Sequence, residues 1–216
     1  MTSPPLSHAI RYSTVILANG ELPRHEVPLK LLKEAKEIIC CDGAVHNLLT
    51  LGFSPTAIVG DGDSISPEER ERFRDILFLD TDREYNDLNK ALSFSLRNGA
   101  GKAAILGGFG LREDHALGNL GVMMLFAKER NMELEMVTNH GVFTPLLETA
   151  TLACYPGQQV SVFALYGDPE LTFYGLKYPV DRRKFRYLWE GSLNEAVSNR
   201  FTIEFDKGDI LVYRSY

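Results

Sequence analysis

The sequence contains few cysteines, no excess of basic residues and no long apolar run. Its 216 residues include three cysteines, and two of them, Cys40 and Cys41, are neighbours. An odd number of cysteines with an adjacent pair does not make a disulfide framework, so we expect a reducing compartment. The initial stretch MTSPPLSHAIRYS lacks the apolar core of a signal peptide, and no run approaches the roughly 18 apolar residues of a membrane span. These absences predict a cytoplasmic protein without a membrane partner.

The charge balance argues against a nucleic-acid partner. The chain carries 23 Lys and Arg residues against 29 Asp and Glu residues, for a formal net charge of −6. Because no basic stripe stands out, we expect no binding to DNA or RNA. A phosphate ligand would then need local cations, either metal ions or a few placed Arg and Lys side chains.

Short apolar runs alternate with helical patterns over the first part of the chain. The runs that predict strands are Ser13–Ala18, Glu37–Cys41, Ala57–Val59, Ile76–Leu79, Lys102–Leu106 and Glu133–Val137. The helical patterns are Leu29–Ala35, Ala44–Leu51, a helix that begins at Ser66-Pro67, Asp87–Arg97 and His115–Glu129, with Leu117, Leu120, Gly121, Met124 and Leu125 at helical spacing on the last. This alternation predicts a mostly parallel sheet with helices on both faces.

The character of the chain changes after about residue 140. Strand-like runs separated by turn pairs follow at Ala150–Cys154, Gln159–Leu165, Leu171–Tyr174, Phe201–Phe205 and Asp209–Tyr213. Because no convincing helical pattern accompanies them, this part predicts a small antiparallel β-sandwich. We therefore divide the chain into residues 1–140 and residues 141–216.

Acidic residues stand where the predicted parallel strands end. They are Asp42, Asp61, Asp63, Asp82, Glu84, Asp87 and Asp114. Carboxyl ends of parallel strands lie along one edge of a sheet, so we expect these side chains to converge. Crowded carboxylates repel one another, and a bound Mg²⁺ relieves that repulsion. Each aspartate taken singly could instead cap a helix or fill a turn, but the set as a whole favours a metal site.

A glycine-rich turn, GGFGLR at residues 107–112, lies between the fifth strand and the next helix. Its backbone N–H groups suit a phosphate, although it matches neither the P-loop nor the dinucleotide fingerprint and could be a simple turn. Arg112 favours the phosphate interpretation, because its planar guanidinium matches a pair of phosphate oxygens. Asp87 and Lys90 are either an exposed ion pair on one helix or a metal ligand and a phosphate contact.

The stretch YLWEGSLNE, residues 187–195, contains the only tryptophan of the chain, Trp189. One interpretation is a core or corner aromatic beside a turn. The other is a pocket wall for a flat organic ring.

Taken in order, CDGA, GDGDS, DREYNDLNKAL, GGFGLREDHALGN and GSLNE resemble the thiamine pyrophosphokinases, from about Val15 onward. The resemblance implies an α/β catalytic domain that binds ATP, at residues 1–140, and a β-sandwich domain that binds thiamine, at residues 141–216. It implies an enzyme that uses Mg²⁺ to transfer diphosphate from ATP to the hydroxyl of thiamine, releasing AMP. It further implies a homodimer in which thiamine lies between the α/β domain of one subunit and the β domain of the other.

The resemblance also assigns roles to residues. The metal ligands it implies are Asp42, Asp61, Asp63 and Asp87, and the catalytic group is Asp63, Asp87, Lys90 and Arg112. The predicted nucleotide and thiamine contacts are Gly107, Gly108, Arg112, Asp114, Ser192 and Asn194.

The chain departs from the family pattern D-Q-D-x-T-D at residues 82–87, where Arg83, Glu84 and Asn86 replace Gln, Asp and Thr. Arg83 adds a cation near the phosphates and bears on nucleotide preference. Leu193 stands where the family has Ser and removes a hydroxyl from the thiamine stretch. Two alternatives stay open, an enzyme acting on another alcohol or nucleotide and a nucleotide-binding sensor without turnover.

Overall fold

A computed structural model describes residues 12–216. The initial eleven residues, which belong to the predicted first domain and to the stretch interpreted as lacking a signal peptide, lie outside the described residues. The described chain divides into two compact units, residues 12–139 and residues 140–216. Within residues 12–216, none of the helices combines the length and the apolar character that crossing a bilayer requires.

The first unit alternates strands with helices. Its strands are β1 (Thr14–Leu17), β2 (Glu37–Cys41), β3 (Ala57–Gly60), β4 (Leu77–Leu79), β5 (Lys102–Leu106) and β6 (Glu133–Val137). Its helices are α1 (Glu26–Glu34), α2 (Ala44–Thr50), α3 (Pro67–Arg72), α4 (Asp87–Arg97) and α5 (Glu113–Arg130). The strands pair in parallel in the order β6-β5-β1-β2-β3-β4. The predicted parallel sheet is confirmed.

Strand burial explains why the sequence pattern was readable here. All four residues of β1 and of β3 are buried, as expected for strands covered on both faces.

The starts of two helices depend on local caps. Ser66 and Glu69 form a reciprocal capping box that begins α3, and the Asn86 carboxamide oxygen accepts the Asn89 N–H to begin α4. Such side chains satisfy backbone donors that a first helical turn leaves open.

Helix α5 differs from the sequence prediction in the face that it buries. Its buried side chains are Ala116, Met123, Met124, Phe126 and Ala127. Leu117 is 71% exposed and Leu125 is 37% exposed, so the predicted face is wrong at these positions and at exposed Gly121. Apolar residues occur around most of this helix, and periodicity therefore does not specify which side meets the sheet.

The second unit is a β-sandwich. Its strands are β7 (Gly141–Leu146), β8 (Ala150–Ala153), β9 (Gln159–Tyr166), β10 (Glu170–Tyr174), β11 (Val180–Lys184), β12 (Asn194–Glu195), β13 (Arg200–Phe205) and β14 (Asp209–Ser215). Antiparallel pairing joins β12-β9-β14-β7 in one layer and β11-β10-β13-β8 in the other. Side chains from both layers, among them Val162, Phe201 and Ile210, form one buried core. The predicted sandwich is confirmed.

The sequence prediction missed three strands and a 3-10 helix in this unit. Strand β7 contains Pro145, and a proline argues against a strand because it lacks the N–H that a ladder needs. Strand β11 reads VDRRK, a charged composition typical of edge strands rather than of apolar runs. Strand β12 has two residues, and the 3-10 helix spans Leu188–Gly191.

Candidate active site at the carboxyl ends of the parallel strands

Three of the predicted acidic residues meet beyond the ends of β2 and β3. One carboxylate oxygen from each of Asp42, Asp61 and Asp63 lies within 4.8 Å of the other two. Asp42 directly follows β2 and Asp61 directly follows β3, and these strands are parallel neighbours. The adjacency of two strand ends therefore brings together side chains that are about 20 residues apart in the chain.

Asp42 is the buried member of this acidic cluster. Its Oδ2 accepts the Ser64 N–H at 3.0 Å, whereas its buried Oδ1 has no hydrogen-bond partner within residues 12–216. Burial, followed by proximity to Asp63, raises the pKa of the Asp42 carboxyl above its ordinary value. The Asp42 side chain packs closely against Gly60, where an added Cβ would lie 2.6 Å from the Asp42 Cβ. Such a buried, unpaired oxygen is costly unless a ligand satisfies it.

The cluster fits Mg²⁺. Its donors are carboxylate oxygens, the hard ligands that this ion prefers, and the unpartnered Asp42 Oδ1 supplies an unused lone pair. Local hydrogen bonds hold the two exposed members in place. Asp61 accepts the Asp63 N–H at 3.1 Å, and Asp63 accepts the Ser64 hydroxyl at 2.9 Å. Asp61 and Asp63 stay open to solvent, which leaves space for waters and phosphate oxygens beside an ion.

Asp87 and Lys90 stand next to this cluster at the start of α4, which packs against β2 and β3. Burial, followed by the charge of Asp42, raises the pKa of Asp87 to about 6 against the opposing effect of Lys90. Asp87 is thus electrostatically coupled to the cluster although it is not one of its three members. Lys90 is 4% exposed and its Nζ lies 3.8 Å from Asp87 Oδ1. The alternative of an ordinary exposed ion pair is therefore wrong.

The remaining predicted acids are not members of the acidic cluster. Asp82 and Glu84 are exposed, and Asp82 accepts the Glu84 N–H at 2.9 Å in a local turn. Asp114 pairs with Arg112 through contacts of 2.5 and 3.1 Å, and the Arg112 guanidinium holds the pKa of Asp114 at about 2. These contacts use the Nε and one Nη of the guanidinium, which has five N–H donors in all.

The glycine-rich turn is packed closely against the end of β1. Gly107 has a φ of +65°, and a Cβ there would lie 2.4 Å from the Ala18 carbonyl oxygen, so only glycine fits. The Asn119 Nδ2 donates to the Gly108 carbonyl at 3.0 Å. Sequence reasoning missed Asn119. Its signal was its place as the last residue of GGFGLREDHALGN, one of the stretches that carry the family resemblance.

Ser192 and Asn194, the two residues predicted to contact thiamine, form hydrogen bonds within the second unit. The Ser192 hydroxyl donates to the Trp189 carbonyl at 2.6 Å. Asn194 is 5% exposed, accepts the N–H groups of Tyr178 and Glu195, and donates to the Tyr178 carbonyl. Its carboxamide therefore holds two chain segments together, and a direct ligand contact by either residue stays a prediction.

Exposed aromatic rings stand beside these residues. Trp189 is 70% exposed and Tyr187 is 62% exposed, and their rings are nearly parallel with centroids 6.3 Å apart. The interpretation of Trp189 as a core aromatic is wrong. Leu193 is 77% exposed and has a φ of +59°, a strained backbone conformation for a leucine.

These features define a class of protein, an α/β unit with an acidic cluster at its strand ends, followed by a β-sandwich unit. Residues 29–136 match the family model described as thiamin pyrophosphokinase, catalytic domain. Residues 141–213 match the model described as thiamin pyrophosphokinase, substrate-binding domain. The chain belongs to the thiamine pyrophosphokinase family, the kinase-type enzymes of thiamine diphosphate synthesis.

Individual relatives agree with the family models. Thiamine pyrophosphokinase 1 of Oryza sativa subsp. japonica is 30% identical over 152 residues, which cover 59% of this chain and 57% of the rice protein. Thiamine pyrophosphokinase of Bacillus subtilis is 29% identical over 185 residues, which cover 81% of this chain and 85% of the bacterial protein. The match thus spans little more than half of the rice protein and most of the bacterial one.

A solved structure shows the same fold. Thiamin pyrophosphokinase from Candida albicans superposes with a TM-score of 0.80 at 17% sequence identity, covering 95% of this chain and 90% of that chain. At that sequence identity, the structural similarity is evidence for the fold alone.

Proposed function

We propose that this protein is a Mg²⁺-dependent thiamine pyrophosphokinase that transfers diphosphate from ATP to the hydroxyl of thiamine and releases AMP. The observation that carries the proposal is the cluster of Asp42, Asp61 and Asp63, in which a buried Asp42 oxygen lacks a hydrogen-bond partner within residues 12–216. Its position at the ends of β2 and β3 is where ligands of parallel sheets bind. The family match supports the same reaction.

We assign the metal to the acidic cluster, with Asp87 beside it. When bound, Mg²⁺ neutralises charge that develops on phosphate oxygens. The cluster would contribute the ion's protein ligands, and solvent-facing Asp61 and Asp63 leave the opposite side to the nucleotide.

Cationic and N–H groups of the first unit would bind the phosphates. Lys90 is suited to this role because its amine is held in a buried position beside Asp87 rather than freely solvated. The glycine-rich turn offers backbone N–H groups. Arg112 would join them through the guanidinium N–H donors that its contacts with Asp114 do not use.

The reaction would be a direct substitution at phosphorus. The thiamine hydroxyl oxygen forms a bond to the β-phosphorus, and the bond from that phosphorus to the oxygen bridging it to the α-phosphorus breaks. AMP leaves with that bridging oxygen, and the hydroxyl proton passes to an acceptor at the site. The protein contributes mainly by positioning the two substrates and stabilising charge.

The second unit would bind thiamine. The description of its family model as a substrate-binding domain supports this assignment. Exposed Trp189 and Tyr187 offer flat surfaces near Ser192, and aromatic faces suit a heteroaromatic cation. We also propose that the protein is a cytoplasmic homodimer. Exposed Leu117 and Leu125 on α5 offer apolar contact area for a second copy. Sedimentation velocity would test the dimer.

A direct assay tests the proposal. Purified protein is incubated with ATP, Mg²⁺ and thiamine, and thiamine diphosphate, AMP and ADP are separated by chromatography. Equal amounts of thiamine diphosphate and AMP are expected, and none without thiamine or with excess EDTA. AMP formed only with another alcohol, or ADP in place of AMP, would point to a different phosphotransferase. Tight binding of Mg²⁺ and ATP without any product would favour the sensor alternative.

A further inference from the structure

A chain of carboxamide groups connects the start of α4 with the glycine-rich turn. Asn86 caps α4 through its Oδ1, which accepts the Asn89 N–H at 2.9 Å. The Asn86 Nδ2 donates to Asn119 Oδ1 on α5 at 3.4 Å. The Asn119 Nδ2 in turn donates to the Gly108 carbonyl at 3.0 Å. One side chain of α5 thus contacts both segments.

Both ends of this connection matter for a phosphate site. The residue after Asn86 is Asp87, and Lys90 follows one turn later on the same helix. At the other end, Gly108 is buried, and a Cβ there would lie 2.5 Å from the Met136 Sδ. A buried carbonyl needs a hydrogen-bond partner, and Asn119 supplies it from a regular helix rather than from another loop.

The contact also orients a peptide group. The peptide that joins Gly108 to Phe109 is planar, so holding the Gly108 carbonyl sets the direction of the Phe109 N–H on the opposite side. The Phe109 carbonyl separately accepts the Glu21 N–H at 2.6 Å. The turn is therefore anchored to α5 on one peptide and to the chain after β1 on the next.

We propose that Asn119 is a positioning residue for the nucleotide: it holds the glycine-rich turn in register with Asp87 and Lys90, so that both segments meet the same phosphates. This inference rests on the proposed function in assigning ATP to the site. Asn119 acts through the Gly108 carbonyl and the Asn86 amide, without touching a reacting atom itself.

Two substitutions test separately the hydrogen bonds of Asn119 to the Gly108 carbonyl and to Asn86. Asn119→Asp keeps an oxygen for Asn86 but turns a carboxylate toward the Gly108 carbonyl, so it breaks the contact to the turn. Asn86→Thr keeps a good helix cap but replaces the carboxamide, whose Nδ2 reaches Asn119, with a hydroxyl. Asn98→Ala is the matched control, because the Asn98 Nδ2 also donates to a backbone carbonyl, that of Phe94 at the far end of α4, at 2.9 Å.

Steady-state kinetics give the main test. For Asn119→Asp and Asn119→Ala we expect KM for ATP to rise roughly five- to tenfold, the size of one lost hydrogen bond to a buried group, with kcat and KM for thiamine within about twofold of wild type. Asn86→Thr should raise KM for ATP about two- to threefold, and adding it to Asn119→Ala should have little further effect because the link is already absent. Asn98→Ala should leave KM for ATP unchanged.

Two measurements do not depend on turnover. Titration calorimetry with α,β-methylene-ATP and Mg²⁺ should show weaker binding in both Asn119 variants, and amide exchange over residues 107–112 should be faster than in wild type. A lower thermal stability with unchanged KM for ATP, unchanged analogue affinity and unchanged exchange would overturn the proposal and leave Asn119 a purely structural residue. Weaker analogue binding in the variants, alongside a wild type that makes no thiamine diphosphate, would uphold the positioning role and refute the proposed reaction instead.

Discussion

The Lys90 ammonium lies 3.8 Å from the Asp87 carboxylate, and the Lys90 side chain is 4% exposed while that of Asp87 is 40% exposed. Asp87 is the acidic neighbour of this amine. The Asp87 carboxyl is in turn electrostatically coupled to Asp42 and the rest of the acidic cluster. The arrangement leaves a cation and several carboxylates together at one sheet edge, which suits a site that binds a metal and phosphates at once.

Replacing Asp63 tests the metal assignment. Asp63→Ala removes a solvent-facing ligand of the cluster, and we expect AMP formation to fall by about a hundredfold or more. The circular dichroism spectrum and thermal midpoint should stay close to wild type, because Asp63 is exposed. Asp75→Ala, which removes a 90% exposed carboxylate in the turn between α3 and β4, serves as the control. Unchanged turnover in Asp63→Ala would refute the metal assignment.

Replacing Lys90 tests the phosphate contact. Lys90→Met keeps the length and apolar body of the side chain but removes its charge, and kcat/KM for ATP should fall by about a hundredfold. Lys30→Met is the matched control, since Lys30 forms an exposed ion pair with Glu34 at 3.9 Å on α1 and should not affect turnover. Equal values of kcat/KM for ATP in the two variants would argue against a contact between Lys90 and the phosphates.

The raised pKa of Asp87 predicts a pH-dependent stability difference in the metal-free protein. The folded pKa is about 6, above the unfolded value, so ionisation destabilises the folded state. This penalty is absent below pH of about 4, develops between about 4 and 6, and is complete above that range. Asp87→Asn should therefore stabilise the protein in EDTA at pH 8, by about 1 kcal/mol after allowing for solvent screening of a partly exposed group, and not at pH 4.

Urea unfolding at both pH values measures this difference. Adding Mg²⁺ at pH 8 should reverse the ranking, because the ion stabilises the wild type by binding its folded form. A difference between the two proteins that is the same at pH 4 and pH 8 would show that Asp87 titrates normally.

The cysteines should differ in reactivity. Burial raises the pKa of the Cys40 thiol to about 12 and raises the pKa of Cys41 well above its ordinary value. Since the thiolate is the reactive species, neither should react with Ellman's reagent in the folded protein. Cys154 is partly exposed, and its Sγ donates to the Ser198 carbonyl at 3.0 Å. It should react slowly, and all three should react in guanidinium. In the folded Cys154→Ser variant only Cys40 and Cys41 remain, so a reaction of this variant with Ellman's reagent would contradict the prediction.

Two glycine-to-alanine substitutions should have opposite effects on stability. Gly107→Ala places a Cβ 2.4 Å from a backbone oxygen at a positive φ, and the free energy of unfolding should fall by roughly 1–3 kcal/mol. Gly118 lies within α5, and a Cβ there meets no atom within 4 Å. Gly118→Ala should raise the free energy of unfolding by about 0.5–1 kcal/mol, since alanine favours a helix. Chemical denaturation measures both values. If the two substitutions changed the free energy of unfolding in the same direction, this account of the glycine-rich turn would be wrong.

Local pattern was enough to predict most elements of the first unit. Buried strands such as β1 and β3 read as continuous apolar runs, and Ser66-Pro67 marks a helix start through hydrogen bonds made within one turn. The second unit was predicted less completely because Pro145 and the charged composition of β11 disguise strands that are stabilised by their neighbours. The predicted face of α5 failed for a related reason, since its apolar residues surround the helix.

The sequence by itself determined that acidic residues follow several strands of a parallel sheet, because strand ends and turn residues are local properties of the chain. Only the tertiary structure decided which of these acids meet. Strands β2 and β3 are neighbours, so Asp42 joins Asp61 and Asp63, whereas Asp114 pairs with Arg112 two residues away. The contacts of Asn119 with Gly108 and Asn86 span 11 and 33 residues, and such pairings depend on strand order and helix packing, which no local pattern encodes.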